Sequence, residues 1–334
     1  PKQFHSMTGT ATMLQDAVER IKPIASTENI YVSTGAETAC LVQEQLPDLS
    51  RSQIIVEPAL RNTGPAVGLE CALLEARDPG CIIASLGSDH YIGKNREFCG
   101  LLSVAEKALN DFPDYLFTLG VKPTRPETGY GYICRGSKLT SVDAISIHSV
   151  ESFTEKPDLE SAKSYNDSGN YLWNSNMFVW KASTVLDLFK RYEPDIYAGL
   201  MRIADAVGTI HESNVIMNEY PKLKEIAVDN AIIERAENVA TIEADIDWGD
   251  IGSWAALTDV LPTDISGNLF SGEVISIESN NSTVYADSGK IIALIGVEDL
   301  VVVDTADALL VCRKDEAQRV RDVTDKLGTK SGEK

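Results

Sequence analysis

The sequence has no apolar run of the length a membrane span requires. Its longest, such as Cys81-Ile82-Ile83-Ala84-Ser85-Leu86 and Leu300-Val301-Val302-Val303, are strand-sized, against the ~20 residues of a spanning helix. Basic clusters are also scarce, none being longer than Cys312-Arg313-Lys314. With 50 acidic and 30 basic residues the net charge is -20, which repels duplex nucleic acid and anionic membrane. Neither is an expected partner. The six cysteines (Cys40, Cys71, Cys81, Cys99, Cys134, Cys312) form no C-x-x-C pair, and several lie in apolar segments where a free thiol behaves as a small hydrophobe. That usage points to a reducing compartment, the cytoplasm. Four histidines, never paired at ligand spacing, argue against zinc. The first residues show no basic-then-apolar signal segment and no initiator methionine. No low-complexity tract or fixed long-period repeat is visible.

What is present suits a folded, soluble protein: 334 residues, 43% hydrophobic and 24% charged, enough for a sizeable core. From about residue 13 to 261 helical and strand patterns alternate, the signature of an α/β fold with a mostly parallel sheet. Helices are expected over 13–21, 66–75, 98–109 and 182–191, and strands over 30–33, 53–57, 81–86, 115–121, 149–154 and 178–180. After a linker at 262–268, five short β-branched runs (274–277, 282–285, 291–295, 300–304, 308–311) suggest an all-β module, sandwich or solenoid-like. A charged helix over 314–327 is expected to close the chain. The reading divides the chain into domains at 1–262 and 263–334.

Six segments carry chemistry. Gly87-Ser88-Asp89-His90 follows an apolar strand, so Asp89 stands at the strand end where open α/β sheets place ligands and where a carboxylate could hold magnesium on a nucleoside triphosphate. Alone, it is equally a turn or helix-capping aspartate. Trp248-Gly249-Asp250-Ile251-Gly252-Ser253-Trp254 fixes Asp250 in a sharp turn between tryptophans; together with Asp89 it would make a two-carboxylate magnesium site, the alternative again being a cap. Glu57-Pro58-Ala59-Leu60-Arg61-Asn62-Thr63-Gly64-Pro65-Ala66 joins a strand to a helix N-terminus suited to phosphate or a base edge. Glu57 could accept from the donor-rich edge of guanine, or simply be solvated. Thr128-Gly129-Tyr130-Gly131-Tyr132 fits a loop over a sugar with an aromatic wall, and Glu155-Lys156-Pro157 pairs a hydroxyl acceptor with a cation for phosphate. Each of these two, alone, reads as readily as a turn and a surface ion pair. Trp173-Asn174-Ser175-Asn176-Met177-Phe178 adds amides that both donate and accept.

Together and in this order, these motifs resemble the sugar-nucleotide pyrophosphorylases, most closely the bacterial mannose-1-phosphate guanylyltransferases, over nearly the whole chain. Gly267-Asn268 and Val303-Asp304-Thr305-Ala306-Asp307-Ala308 extend the resemblance into the tail. It implies a Rossmann-like sheet of GT-A type with a β-helix-like C-terminal module, and synthesis of GDP-mannose and pyrophosphate from GTP and mannose 1-phosphate. By the same resemblance Asp89 and Asp250 bind magnesium, and Lys2 neutralises the triphosphate. Glu57, Asn62, Thr63, Pro65, Ala66, Gly87 and Ser88 form the nucleotide side. Tyr130, Gly131, Glu155, Lys156 and Asn174 hold the sugar phosphate, Lys156 at its phosphate. Relatives that use another base or sugar, or a paralogue that senses GDP-mannose without turnover, are the alternatives. The family's glycine-rich loop, roughly G-x-G-T-R-L-x-P, and the strand before it would precede Lys2; the natural protein is expected to begin earlier than Pro1. The β module suggests a homodimer.

Overall fold

The computed structural model describes residues 2–6, 11–252, 254–286, 288–320 and 322–323. They form two compact units: residues up to Ser6 with Ala11–Ser88 and Lys94–Ile246, and Asp89–Gly93 with the residues from Asp247 onward.

The first unit opens with α1 (Met13–Ile21), which starts at Thr12 because a capping box closes there: Gln15 N donates to Thr12 Oγ1 at 3.3 Å and Thr12 N to Gln15 Oε1 at 2.9 Å. Its Met13, Leu14 and Val18 are buried. Next come β1 (Val32–Gly35), α2 (Ala39–Gln45), β2 (Ile54–Glu57), α3 (Thr63–Arg77) and β3 (Ile82–Ser85). Strands β1 and β2 pair in parallel, Gly35 beside Glu57. After β4 (His90–Ile92), which belongs to the second unit, come α4 (Asn95–Asp111), β5 (Leu116–Val121), β6 (Tyr132–Val142), β7 (Ile145–Thr154), α5 (Leu159–Ser168) and β8 (Tyr171–Lys181). The unit ends with α6 (Ala182–Tyr192), α7 (Pro194–Ala204), α8 (Glu212–Glu219), α9 (Val228–Ala231) and β9 (Val239–Ala244).

Its main sheet runs β3-β8-β5-β9-β7-β6. β5 and β9 are parallel, whereas β8, β7 and β6 run antiparallel to their neighbours. The helix-flanked α/β class holds, but among the described residues of this unit parallel pairing is confined to β5–β9 and β1–β2. The long hairpin β6–β7 and the 11-residue β8, of which the sequence marked only 149–154 and 178–180, supply the antiparallel share. Half-buried polar residues hide the β6–β7 hairpin from a search for apolar runs, and Asn174, Ser175 and Asn176 interrupt the otherwise apolar, buried β8.

Leu69, Leu73, Leu116, Trp180, Val185, Phe189 and Leu200 form the fully buried centre of this unit. Burying each such side chain stabilises the fold by about 1.5–3 kcal/mol. Helix α3 is apolar almost all round, burying Val67, Leu69, Cys71, Ala72 and Leu73, as a helix between other elements must. Strand β8 bulges against β5: Thr118 pairs with Phe178 but Gly120 with Asn174, leaving three residues of β8 opposite Leu119. Asn176 takes φ 53° there. Such a bulge bends a strand and re-aims its side chains, here those of Asn174 and Asn176.

In the second unit β4 pairs antiparallel with β10 (Trp248–Asp250), and this compact unit takes in Asp89–Gly93 and the residues from Asp247 onward. The module contains β11 (Leu269–Ser271), β12 (Val274–Ile277), β13 (Thr283–Ala286), β14 (Ile292–Ile295), β15 (Leu300–Asp304) and β16 (Leu309–Arg313). Parallel pairing joins β12 to β14 and β13 to β15 at a spacing of 18 residues, Val274 to Ile292 and Thr283 to Val301, and β11 to β13 at 14, Leu269 to Thr283. This is a β-helix-like coil. About two turns of it are too few for an 18-residue period to show in sequence. Asn268 pins it, donating to Ser279 O and accepting from Ser282 N, both at 2.9 Å. The expected final helix begins as a 3₁₀ turn, Lys314–Arg319; most of its remainder lies outside the described residues.

Candidate active site

In the first unit the structure brings together Gly131, Glu155 and Asn174 at the head of the β6–β7 hairpin and the β8 bulge. Asn174 N donates to Gly131 O at 2.8 Å. A Cβ on Gly131 would lie 2.6 Å from Glu155 Oε2, closer than real Cβ contacts allow, so glycine is what lets the carboxylate approach. Glu155 Oε1 pairs with Lys156 Nζ at 2.9 Å, and Lys156 holds φ 46°. Tyr130 meets Trp173 edge to face, centroids 5.3 Å apart, making an aromatic wall beside this set.

Asn174 is 3% exposed and its amide is already occupied. Nδ2 donates to Asn176 Oδ1 at 2.7 Å and to Asp229 Oδ1 at 3.4 Å, while Oδ1 accepts from Asn176 N at 3.2 Å and Thr118 Oγ1 at 3.4 Å. Asp229, which the sequence reading passed over, therefore joins the cluster. It is buried, and burial first, then Glu155, pushes its carboxyl up to about 6. The signal that could have found it is a polar pair, Asp229-Asn230, inside the apolar run from Ile226 to Ile233.

The turn after β2 connects to the same segment. Glu57 closes β2, and its Oε2 accepts from Tyr220 OH at 2.6 Å; burial and this bond push the Tyr220 phenol far up. Asn62, at φ 66°, caps α3 with its side chain on Thr63 N at 2.8 Å. Thr63 Oγ1 accepts from Val228 N at 2.9 Å, Gly64 N donates to Ile226 O at 2.9 Å, and Ile226 N to Arg61 O at 3.3 Å. A Cβ on Gly64 would stand 2.6 Å from Ile226 O. Pro65 is buried and Ala66 half-buried in the first turn of α3. Residues 61–64 and 226–229 are thus clamped together, with Asp229 at the end leading to the Glu155 set.

Gly87 and Ser88 lie in the connection between β3 and β4. Lys2 begins a 3₁₀ turn, Lys2–Phe4, which Gln45 Nε2 secures by donating to Phe4 O at 3.0 Å.

In the second unit Asp250 stands opposite His90 in the β4–β10 register, and Ile251 N donates to Asp89 O at 3.4 Å. One ligand atom from each of Asp89, His90 and Asp250 lies within 4.8 Å of the others. Two carboxylates and an imidazole at this spacing could hold a divalent cation. His90 is the member the sequence reading set aside, because a single histidine shows no ligand spacing. Its ring meets Trp248 edge to face, centroids 5.6 Å apart.

The model of the nucleotidyl transferase family matches residues 1–266, and that of the MannoseP isomerase/GMP-like beta-helix domain matches residues 272–327. The chain is similar to the mannose-1-phosphate guanylyltransferase of Salmonella montevideo, 36% identical over 98% of this chain and 69% of that protein. It is 32% identical to one from Escherichia coli, covering 98% of this chain and 71% of that protein. Among solved structures it resembles one from Thermus thermophilus described as a mannose-1-phosphate geranyltransferase, with TM-score 0.84 and 29% identity over 98% of this chain and 92% of that one.

Proposed function

The chain belongs to the nucleotidyl transferase family, among the mannose-1-phosphate guanylyltransferases, and on that premise we propose how its own residues divide the work. It is an enzyme that makes GDP-mannose and pyrophosphate from GTP and mannose 1-phosphate. A phosphate oxygen of mannose 1-phosphate attacks the α-phosphorus of GTP in line; a P–O bond forms there as the α–β bridge breaks and pyrophosphate departs. No side chain needs to become covalently attached, so the protein works by positioning and charge.

On the nucleotide side, Tyr220 orients Glu57 so that its other oxygen accepts from the ring N–H and amine of guanine. The turn Asn62, Thr63, Pro65 and Ala66 packs against the base, and Gly87 and Ser88 offer backbone to the nucleotide. Lys2 neutralises the triphosphate. On the sugar side, Glu155 accepts from sugar hydroxyls, Gly131 offers its backbone, Tyr130 walls the sugar, and Asn174 holds the carboxylates in place. Lys156 takes the sugar's phosphate. Asp89 and Asp250, whose hard oxygen donors suit it, hold magnesium, with His90 beside them; bound there, the cation offsets the charge of the phosphates. The observation that most supports this assignment is the meeting of Asp89, His90 and Asp250 within 4.8 Å.

The protein is proposed to work in the cytoplasm, with its six cysteines as free thiols, and no helix among the described residues is long and apolar enough to cross a membrane. It is further proposed to be a homodimer, joined through the exposed Ile275, Ile277 and Ile295 of the β module; light scattering at the dimer mass supports this, and the monomer mass refutes it. The activity is tested by chromatographic detection of the nucleotide sugar formed from mannose 1-phosphate with GTP, ATP or dTTP in turn. GDP-mannose from GTP is the expected product, and preferential turnover of ATP or dTTP contradicts the assignment.

A further inference from the structure

We infer that Asp229 is a specificity-determining residue of this reaction, its carboxylate accepting a hydrogen bond from a hydroxyl of the hexose phosphate beside Glu155. The inference rests on the activity proposed above and deepens it.

Three observations carry it. Asp229 is 8% exposed, and the donors its carboxylate meets are Asn174 Nδ2, at a long 3.4 Å, and its own backbone N–H. A buried carboxylate of this kind ordinarily gathers two or three short donors, because an unsatisfied one is costly. Among the described residues these two donors leave acceptor sites of the carboxylate unused, and a ligand with hydroxyl groups supplies the remainder. Second, its neighbours are acceptors too. Glu155 lies close enough to raise its proton affinity, Glu234 adds to that, and Lys156 is the cation opposing them. An acceptor-rich wall with one cation matches a sugar bearing several hydroxyls and one phosphate, and suits a nucleobase phosphate far less. Third, Asp229 is held in place from the nucleotide side. The Val228 N to Thr63 Oγ1 bond at 2.9 Å fixes the residue before it, and the Gly64 to Ile226 contact fixes the segment two residues earlier. A carboxylate placed this firmly, with its acceptor capacity unspent, discriminates by the direction of a hydroxyl. Rejecting an epimer whose hydroxyl points elsewhere leaves that capacity unpaired, the situation in which buried polar groups separate substrates most sharply.

The pH dependence follows from the same groups. Burial and Glu155 push Asp229 up to about 6, so lowering the pH through that value protonates it and turns an acceptor into a donor. The substrate's phosphate monoester titrates near pH 6 as well, so the comparison must be with a variant that lacks the carboxylate.

The test is steady-state kinetics on the wild-type protein and on Asp229→Asn, with Asp229→Ala as the second variant, varying mannose 1-phosphate and GTP separately. Epimeric hexose 1-phosphates serve as competing substrates, and thermal unfolding is recorded for each protein. Expected is a rise of about tenfold or more in KM for mannose 1-phosphate in Asp229→Asn, with KM for GTP within about twofold and Tm retained. Discrimination against epimers falls, and the extra loss of sugar-phosphate affinity below pH 6 disappears. An active wild type whose Asp229→Asn and Asp229→Ala forms keep both KM values and the epimer preference overturns the inference. So does an equal rise in both KM values with lowered Tm, the mark of a structural role. A wild type that forms no GDP-mannose refutes the underlying activity instead.

Discussion

Gly131 and Glu155 are so close that any side chain on the first would displace the second: a Cβ at Gly131 would lie 2.6 Å from Glu155 Oε2, with Phe153 at 3.1 Å and Asn174 at 3.3 Å blocking retreat. Gly131→Ala should therefore push the Glu155 carboxylate away from the sugar. The expected result is a tenfold or greater rise in KM for mannose 1-phosphate, about 1.4 kcal/mol or more of lost binding, with KM for GTP little changed. Unchanged kinetics would remove Glu155 from the sugar-binding set.

The clamp between residues 61–64 and 226–229 predicts a different outcome. In Gly64→Ala the new methyl meets a backbone oxygen, Ile226 O at 2.6 Å, which cannot swing aside as a side chain can. Overpacking of this kind costs about 1–3 kcal/mol, so chemical denaturation should show a lowered midpoint, and KM should rise for both substrates together. Thr63→Val, which removes only the acceptor for Val228 N, should shift both KM values in the same sense with a smaller loss of stability.

Asp89 and Asp250 are expected to act as a pair. Asp89→Asn or Asp250→Asn should lower turnover by more than about 100-fold, beyond what loss of an outer-shell partner alone costs, and should weaken divalent-cation binding measured by calorimetry. Chelation should abolish activity reversibly, magnesium restoring it. Retention of both activity and cation affinity in either variant would place the metal elsewhere.

Asp304 provides a stability prediction confined to the β module. Hydrogen bonds from Ser288 and then Lys290, the latter at 2.9 Å, hold its carboxyl below the usual carboxylate range. A carboxylate depressed in the folded state contributes stability that is complete above its unfolded pKa, about 3.9, and is lost as pH falls through the lower folded value. Asp304→Asn should therefore lower Tm at neutral pH and flatten the decline below about pH 4. Thermal melts from neutral pH down into the acid range would show it, and parallel curves for the two proteins would contradict it.

Where sequence reading succeeded and where it stopped follows from what each feature depends on. Helix α1 was readable to the residue because its cap, Thr12 with Gln15, and its apolar stripe are local. Strand β3 and the β-branched runs of the C-terminal module were legible as short apolar segments. The antiparallel β6–β7 hairpin and the bulge at Asn174–Asn176 were not, because a half-buried polar strand gains its stability from cross-strand partners distant in sequence. The same limit applies to the site. Motifs with glycine or proline punctuation, around Gly131, Glu155 and Asp250, stood out. Asp229, His90 and Tyr220 did not, since what marks each is a neighbour that only folding supplies: Asn174, Asp250 and Glu57.

Pyrophosphate release from GTP and mannose 1-phosphate in the presence of magnesium, measured on the wild-type protein beside Asp250→Ala, tests the proposed reaction and its cation site together. Release by the wild type, dependent on both substrates and lost in the variant, is the predicted result. Release that proceeds without mannose 1-phosphate, or that survives in Asp250→Ala, would contradict the account.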